Sequence, residues 1–404
     1  MNQPVRTEPK SRRARMHECL APLIAYFNGP YTRFNEQPGM ANFAVGNPQD
    51  MAMPDYVSSL RRHLEPKDPH WFGYKFSEPE ARRTVAEGLS HATGMAWEPN
   101  DVAMTNGGFG ALAVALRSVV DPGDEVIYLS PPWFFYELLT LAAGGEPVPV
   151  PLRPPRFDVD LGLVESAITD RTRAIIFNNP QNPSGRVYPR ESIISMSEML
   201  IGASERVGHP LWVISDEPYK KILFDGSEFH SPAEHYPHTL VAYSYGKTLL
   251  APGQRIGYLT VPPSLPEAQR ATLRQEIFVQ QTATGYAFPN ALLQHALPEL
   301  EQLSIDVGVL EKRRDRLVPA LREMGYEASM PEGTFYVMAR SPIADDALFA
   351  EVLGRHGVLV LPGTIVETPG WFRISLTASD EMVDDGIPRF AAALDEVRSH
   401  RGEA

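Results

Sequence analysis

From about residue 100 the chain alternates short apolar, β-rich runs with helical stretches, and this alternation limits its architecture more than any other feature. Val102 to Thr105 reads as a strand, and Ala111 to Val120 as a helix entered through Gly107-Gly108. Asp121-Pro-Gly-Asp is a turn, and Glu125 to Leu129 the next strand. Ala174 to Phe177, Trp212 to Ser215, Val241 to Ser244 and Gly257 to Val261 continue the series. Strands apolar along their whole length are buried on both faces, and the helices between them supply that cover. The expected class is α/β, with a large domain holding a mostly parallel sheet covered by helices.

The pattern changes after about residue 295. Ser304 to Met324 is a long helical run with Arg and Glu on its polar side. Thr334 to Ala339, Val358 to Leu361 and Phe372 to Leu376 then read as strands, followed by a helix from Ser379. A smaller α+β domain built from the C-terminal part and the N-terminal segment is expected, since 404 residues exceed what one core usually serves. The expected division is an N-terminal arm over 1–40, partly disordered, a large domain over 41–295 and a small one over 296–404. Residues 41–60 can join either domain.

Charge and cysteine usage exclude several partners. The net charge of −13 argues against nucleic acid, whose phosphates demand basic patches. Arg6, Lys10, Arg12, Arg13 and Arg15 crowd near the N-terminus, but no apolar run with a small-residue cleavage site follows, so a solvated tail is expected. Apolar runs are too short to span a bilayer. Cys19 is the one cysteine, which forbids an intramolecular disulfide and fits a reducing cytoplasm. Nothing around it resembles a metal-binding set, and no metal is expected.

Four segments at strand ends carry chemistry. Thr105-Asn-Gly-Gly-Phe-Gly110 opens a helix; its glycines let backbone N–H groups approach an anion, whereas alone it would be an ordinary tight turn. Ser215-Asp-Glu-Pro-Tyr219 sets an acid where it could keep a ring nitrogen charged or merely cap a helix. Ser244-Tyr-Gly-Lys247 offers an amine that, once deprotonated, attacks a carbonyl; an isolated lysine is ordinarily a surface charge. Phe177-Asn-Asn-Pro-Gln-Asn-Pro-Ser-Gly-Arg186 is a stiff, amide-rich loop able to donate to an oxygen.

Asn-Pro-Ser-Gly, Asp-Glu-Pro-Tyr, Ser-x-x-Lys and Gly-x-Arg occur together in one order, and in this the chain resembles the class I/II aminotransferases, the fold-type I enzymes that use pyridoxal 5′-phosphate. The resemblance runs from about Gly46 to Arg373. It implies Lys247 as the Schiff-base lysine and proton shuttle, Asp216 as partner of the pyridine nitrogen, and Tyr219 and Asn182 as donors to the ring hydroxyl oxygen. Trp133 matches the aromatic stacked on the ring. The phosphate falls to the N–H groups of Gly108 and Phe109, to Ser244, to Arg255, and to Tyr74 reaching across from a second subunit. Arg373, with Gly46 and Asn182, matches the group that clamps the substrate α-carboxylate.

The implied activity moves an α-amino group from an L-amino acid to a 2-oxo acid by a ping-pong route, in a cytoplasmic homodimer. Lyases and oxidases on the same fold are the competing enzymes. A non-catalytic binding module, as in regulators that carry a DNA-binding segment before this fold, is a third reading; about 40 residues before Gly46 are too few for that segment. Phe109 departs from the hydroxyl or longer polar chain common at its position, which keeps the N–H but removes a phosphate hydrogen bond. Pro252 replaces a small hydroxylated residue without consequence. No arginine is clearly placed for a side-chain carboxylate; Arg33, Lys75 and Arg274 are candidates by region only.

Overall fold

A computed structural model describes residues 10–402. Among these residues twelve strands form three sheets. In chain order the first six are β1 (Ala41–Asn42), β2 (Val102–Thr105), β3 (Glu125–Ser130), β4 (Glu146–Pro151), β5 (Thr172–Asn178) and β6 (Trp212–Asp216). The others are β7 (Thr239–Ser244), β8 (Gly257–Thr260), β9 (Tyr336–Arg340), β10 (Val358–Leu359), β11 (Leu361–Pro362) and β12 (Trp371–Ser375).

The seven-stranded sheet has the order β2-β8-β7-β6-β5-β3-β4. Strands β7, β6, β5, β3 and β4 are parallel, while β8 is antiparallel to both of its neighbours. Two reversals cancel, so β2 runs with the parallel set, and the carboxyl ends of β2, β3, β5, β6 and β7 gather on one edge. Side chains alternate between two covered faces. Val126 and Tyr128 pack with Leu112 and Val114 of the helix Gly107–Val119, whereas Ile127 and Leu129 pack with Ile193 and Leu200 of the helix Arg190–Val207. The α/β class and the mostly parallel sheet follow from that double burial.

Strand β4 is absent from the sequence expectation because Pro147, Pro149 and Pro151 alternate through it. It pairs only with β3, at the sheet edge, where the outward positions need no N–H donor.

A second, antiparallel sheet has the order β11-β12-β9. The expected single strand over Val358 to Leu361 is split: β10 pairs with β1, and β11 pairs with β12. The helix expected from Ser304 begins at Val307, where the Asp306 carboxylate accepts the Gly308 N–H at 2.9 Å. Phe43 of the N-terminal segment shares a core with Phe335, Phe372 and Phe390.

The N-terminal arm needs a correction. From Arg12 to Tyr26 it is a helix rather than a solvated tail. Tyr26 is buried, its hydroxyl donating to the Val360 carbonyl at 2.7 Å, and Arg15 pairs with Glu146 at 2.6 Å. The basic cluster masked the apolar anchor that follows it. Residues 1–9, with Arg6, lie outside the described residues. No helix among the described residues is long and apolar enough to cross a membrane.

Candidate active site

The strand-end edge collects the chemistry. Thr105 ends β2, and the helix Gly107–Val119 begins two residues later. The first N–H groups of that helix, those of Gly107, Gly108 and Phe109, have no intrahelical acceptor. Gly107 has φ +75°, and a Cβ there would lie 2.8 Å from Arg255 Nη2. A Cβ on Gly108 would lie 3.2 Å from Ser244 Cβ, at the end of β7. Glycine therefore keeps open a cradle in which a helix N-terminus, a hydroxyl and a guanidinium converge, the donor set of an anion site.

Asp216 ends β6 and is buried. The Tyr136 hydroxyl donates to its Oδ2 at 2.6 Å. Burial pushes the Asp216 carboxyl up to about 7, against the pull of the Tyr136 hydrogen bond and of Lys247. Next to it, Asn178 at the end of β5 donates its Nδ2 to the Asp216 carbonyl at 2.8 Å and accepts the Asn182 N–H at 2.7 Å. These bonds fix the loop that presents Asn182.

Asn182 Oδ1 accepts from Arg373 Nη1 at 3.0 Å, and Arg373 Nη2 donates to the Ala44 carbonyl at 3.2 Å. The guanidinium lies 3.9 Å over the Tyr336 ring. Its Nε is buried with no partner among the described residues. An orphaned guanidinium N–H is a costly arrangement unless an acceptor arrives from outside. Two residues beyond Ala44, a Cβ on Gly46 would lie 2.4 Å from Tyr336 Oη and 2.7 Å from the Phe335 ring. Aromatic packing alone requires glycine there.

Lys247 sits on the short helix Tyr245–Thr248 that follows β7. Its Nζ lies 5.9 Å from the Tyr219 ring centre and 5.7 Å from that of Phe335. Lys247, Asp216, Tyr219 and Asn182 line one cleft of about 190 Å³, together with Trp133, Gly108, Phe109, Ser244 and Arg255. Burial, then the neighbouring Tyr336, pushes the Tyr219 hydroxyl well up, so it remains a proton donor at neutral pH.

The profile of the aminotransferase class I and II family matches residues 38–390. The chain belongs to that family. This aminotransferase is 34% identical over 356 residues to the aspartate/prephenate aminotransferase of Thermus thermophilus, covering 87% of this chain and 90% of the relative. It is 31% identical over 331 residues to an arginine–pyruvate transaminase of Pseudomonas aeruginosa, covering 78% and 80%. The crystal structure of an amino transferase from Eubacterium rectale is similar to its fold with a TM-score of 0.84 at 29% identity, covering 96% of both chains.

Of the other residues of the expected site, Arg373 meets the cleft through Asn182 and Gly46 lies against Tyr336, whereas Tyr74 is away from the cleft within a single chain of this aminotransferase. It is 89% exposed, with its ring 4.9 Å from that of Phe288. Two residues that support the site escaped the sequence reading: Tyr136, which bonds Asp216, and Tyr336, beneath Arg373. Each is a phenol inside an apolar run, Trp133-Phe-Phe-Tyr136 and Thr334-Phe-Tyr336, where core packing is the ordinary reading. The available signal was chemical: a fully buried tyrosine needs a partner for its hydroxyl.

Proposed function

We propose that this aminotransferase carries pyridoxal 5′-phosphate on Lys247 and uses it to move the α-amino group of an L-amino acid to a 2-oxo acid in two half-reactions. The observation that carries the reading is that Lys247, the buried carboxyl of Asp216 and the anion cradle at Gly108 share one cleft. The residues fit that cofactor. A carboxyl raised to about 7 by burial is suited to a cationic ring N–H, and the cradle that a Cβ at Gly107 would fill suits a phosphate.

On this reading Asp216 holds the ring nitrogen, Tyr219 and Asn182 donate to the ring hydroxyl oxygen, and Trp133 covers a ring face. The N–H groups of Gly108 and Phe109, with Ser244, Arg255 and Tyr74 of the partner subunit, hold the phosphate. Residues 41–295 then form the cofactor-binding domain and 296–404 the smaller one, which 41–60 can join, as the pairing of β1 with β10 and the core position of Phe43 support. When bound, the cofactor supplies an electron sink for the substrate α-carbon. Arg373 supplies a two-bond fork for the α-carboxylate, seated by Asn182 and Ala44 with Nε still to be satisfied, beside the backbone of Gly46. That grip turns the α-hydrogen toward Lys247, whose Nζ takes the proton and later returns it. Trp133 and Phe109 keep water from the apolar side of the cleft. A single cysteine and the acidic charge balance support a cytoplasmic setting.

The test is spectroscopic. Adding an amino donor to the loaded protein shifts its visible band, and a 2-oxo acid restores it. Sustained amine release without any 2-oxo acid would replace group transfer by lyase or oxidase chemistry.

An assembled site also predicts a homodimer. Phe76 lies 4.8 Å from Phe288 and 5.0 Å from Phe278, and Tyr74 joins them. All four rings are exposed, a patch of the kind that another protein surface covers. Light scattering is expected to give the mass of two chains, and a fully active monomer would remove Tyr74 from the site.

A further inference from the structure

We infer that Lys220 is a positioning residue for the amino-group transfer, and that it acts by bracing, through Tyr243 and Thr248, the short helix on which Lys247 stands. Its part in the reaction rests on the function proposed above, whereas the brace is a matter of packing and is measurable without cofactor.

Lys247 needs such support. Pairing of β6 with β7 sets Asp216 opposite Ala242 and fixes the two strand ends. Lys247 stands beyond that pairing, on a helix of four residues, and a helix so short does not hold itself. The turn that ends it puts Leu250 at φ +45°, a conformation that costs a bulky residue energy. The place of the Lys247 amine is therefore set by what grips Tyr245 and Thr248. The Tyr245 hydroxyl donates to Glu301. The hydroxyls of Thr248 and Tyr243 share a hydrogen bond of 2.7 Å, and the Thr248 carbonyl accepts the Ile305 N–H at 2.9 Å.

Lys220 holds Tyr243 in turn. Its Nζ lies 4.9 Å from the Tyr243 ring centre and donates to the Tyr258 hydroxyl at 2.9 Å, while the two rings stack 5.0 Å apart. The side chain of Lys220 is only 12% exposed, so it is not the solvated charge that a lysine ordinarily is. Glu217, the neighbour of Asp216, fixes it from the other side, with Oε2 3.5 Å from the ammonium. Glu217 is buried, and its Oε1 accepts from Ser215 Oγ at 2.9 Å and from Ser231 Oγ at 2.5 Å. Burial pushes the Glu217 carboxyl up, and Lys220 draws it back toward the charged form. Parting such a pair strands a buried charge, so the cation stays where it is. Asp216 and Lys247 are thus joined by a path of side chains that runs through Glu217, Lys220, Tyr243 and Thr248.

The test compares full-length Lys220→Met, Tyr243→Phe and the double variant with wild type. In the cofactor-free protein, hydrogen exchange is followed at the amides of Leu249, Leu250 and Ala251, which close onto Tyr245, Lys247 and Gly246. In the protein loaded with pyridoxal phosphate, the rate at which a donor shifts the visible band is followed against donor concentration. The donor is the fastest of L-aspartate, L-phenylalanine, L-alanine and L-arginine. Lys220→Met is expected to speed exchange by about 5-fold or more. It should lower the maximal rate by about 10- to 100-fold and leave the half-saturating concentration within about 2-fold, because the Arg373 clamp is untouched. Tyr243→Phe should act in the same direction, and the double variant should be no slower than Lys220→Met, since both cut one path. Unchanged exchange in Tyr243→Phe, rate losses that multiply in the double variant, or an effect confined to the half-saturating concentration overturns the inference and leaves amino-group transfer standing. If no donor shifts the wild-type band, the proposed function falls and the role of Lys220 in it falls too, while the exchange rates still report the brace. Tyr243→Phe keeps Lys220 paired with Glu217, so it decides the matter even where Lys220→Met does not fold.

Discussion

Replacing Lys247 by alanine is expected to remove turnover, by on the order of 10⁴-fold or more, while leaving the protein folded. The side chain is half-buried on a short helix, its Nζ 5.7 and 5.9 Å from two ring centres, and it forms no ion pair among the described residues; its loss removes only a through-space pull on the buried Asp216. Stability should change little. Function should change completely, because the amine placed to carry the α-proton is gone and no other lysine among the described residues lines the cleft. Two measurements separate the loss of chemistry from loss of binding. The visible band of the loaded protein should vanish or move, while equilibrium dialysis should still find cofactor held through the cradle and Asp216. A Lys247→Ala protein that kept both the original band and measurable turnover would remove this lysine from the reaction.

The fold was legible where burial on both faces wrote unbroken apolar runs, as at Val126 to Leu129 and Val213 to Ser215. Direction was harder to read. An apolar strand such as β8 looks the same whichever way it runs, and only the connection betrays its reversal. Between Ser244 and Gly257 there is just the four-residue helix Tyr245–Thr248, too little for the crossover that a parallel neighbour requires. Strand β4 was hidden by prolines that only an edge tolerates. The helix Arg12–Tyr26 was hidden by its charges, since the anchoring contact of Tyr26 is with Val360, 334 positions away.

The cleft residues could be picked out because each follows a strand end and differs in chemistry from the apolar run before it: Asp216 after Val213 and Ile214, Lys247 after Ser244, Asn182 after β5. What local sequence could not supply was the network that holds them. Tyr136 is 80 positions from Asp216, and Arg373 is 191 from Asn182. Those pairings depend on sheet order and on the second sheet docking against the first, so they emerge only with the tertiary structure.

Asp216→Asn carries the other large effect, and its two halves have opposite signs. In the cofactor-free protein Asp216 is a buried carboxyl pushed up to about 7, from an ordinary value of 3.8, by burial first and Glu217 second, against the pull of Tyr136 and Lys247. The folded state therefore holds a proton that the unfolded chain releases between about pH 4 and pH 7. Stability from this group is fully present below about 4 and is lost as pH rises through about 7. Asparagine has nearly the same shape and no charge to desolvate. The cofactor-free variant should thus gain on the cofactor-free wild type between pH 4 and pH 7, by about 4 kcal/mol at most, and hold that gain at pH 8. Loading with pyridoxal phosphate should reverse the order, since the Asp216 carboxylate then meets a ring cation and asparagine does not. Turnover of the variant should fall by on the order of 10³-fold for the same reason. Melting curves with and without cofactor at pH 5 and pH 8 read the first half, and steady-state rates the second. A variant that melts below wild type at pH 8 without cofactor, and that turns over at near wild-type rate, would show that the carboxyl at 216 serves the scaffold alone.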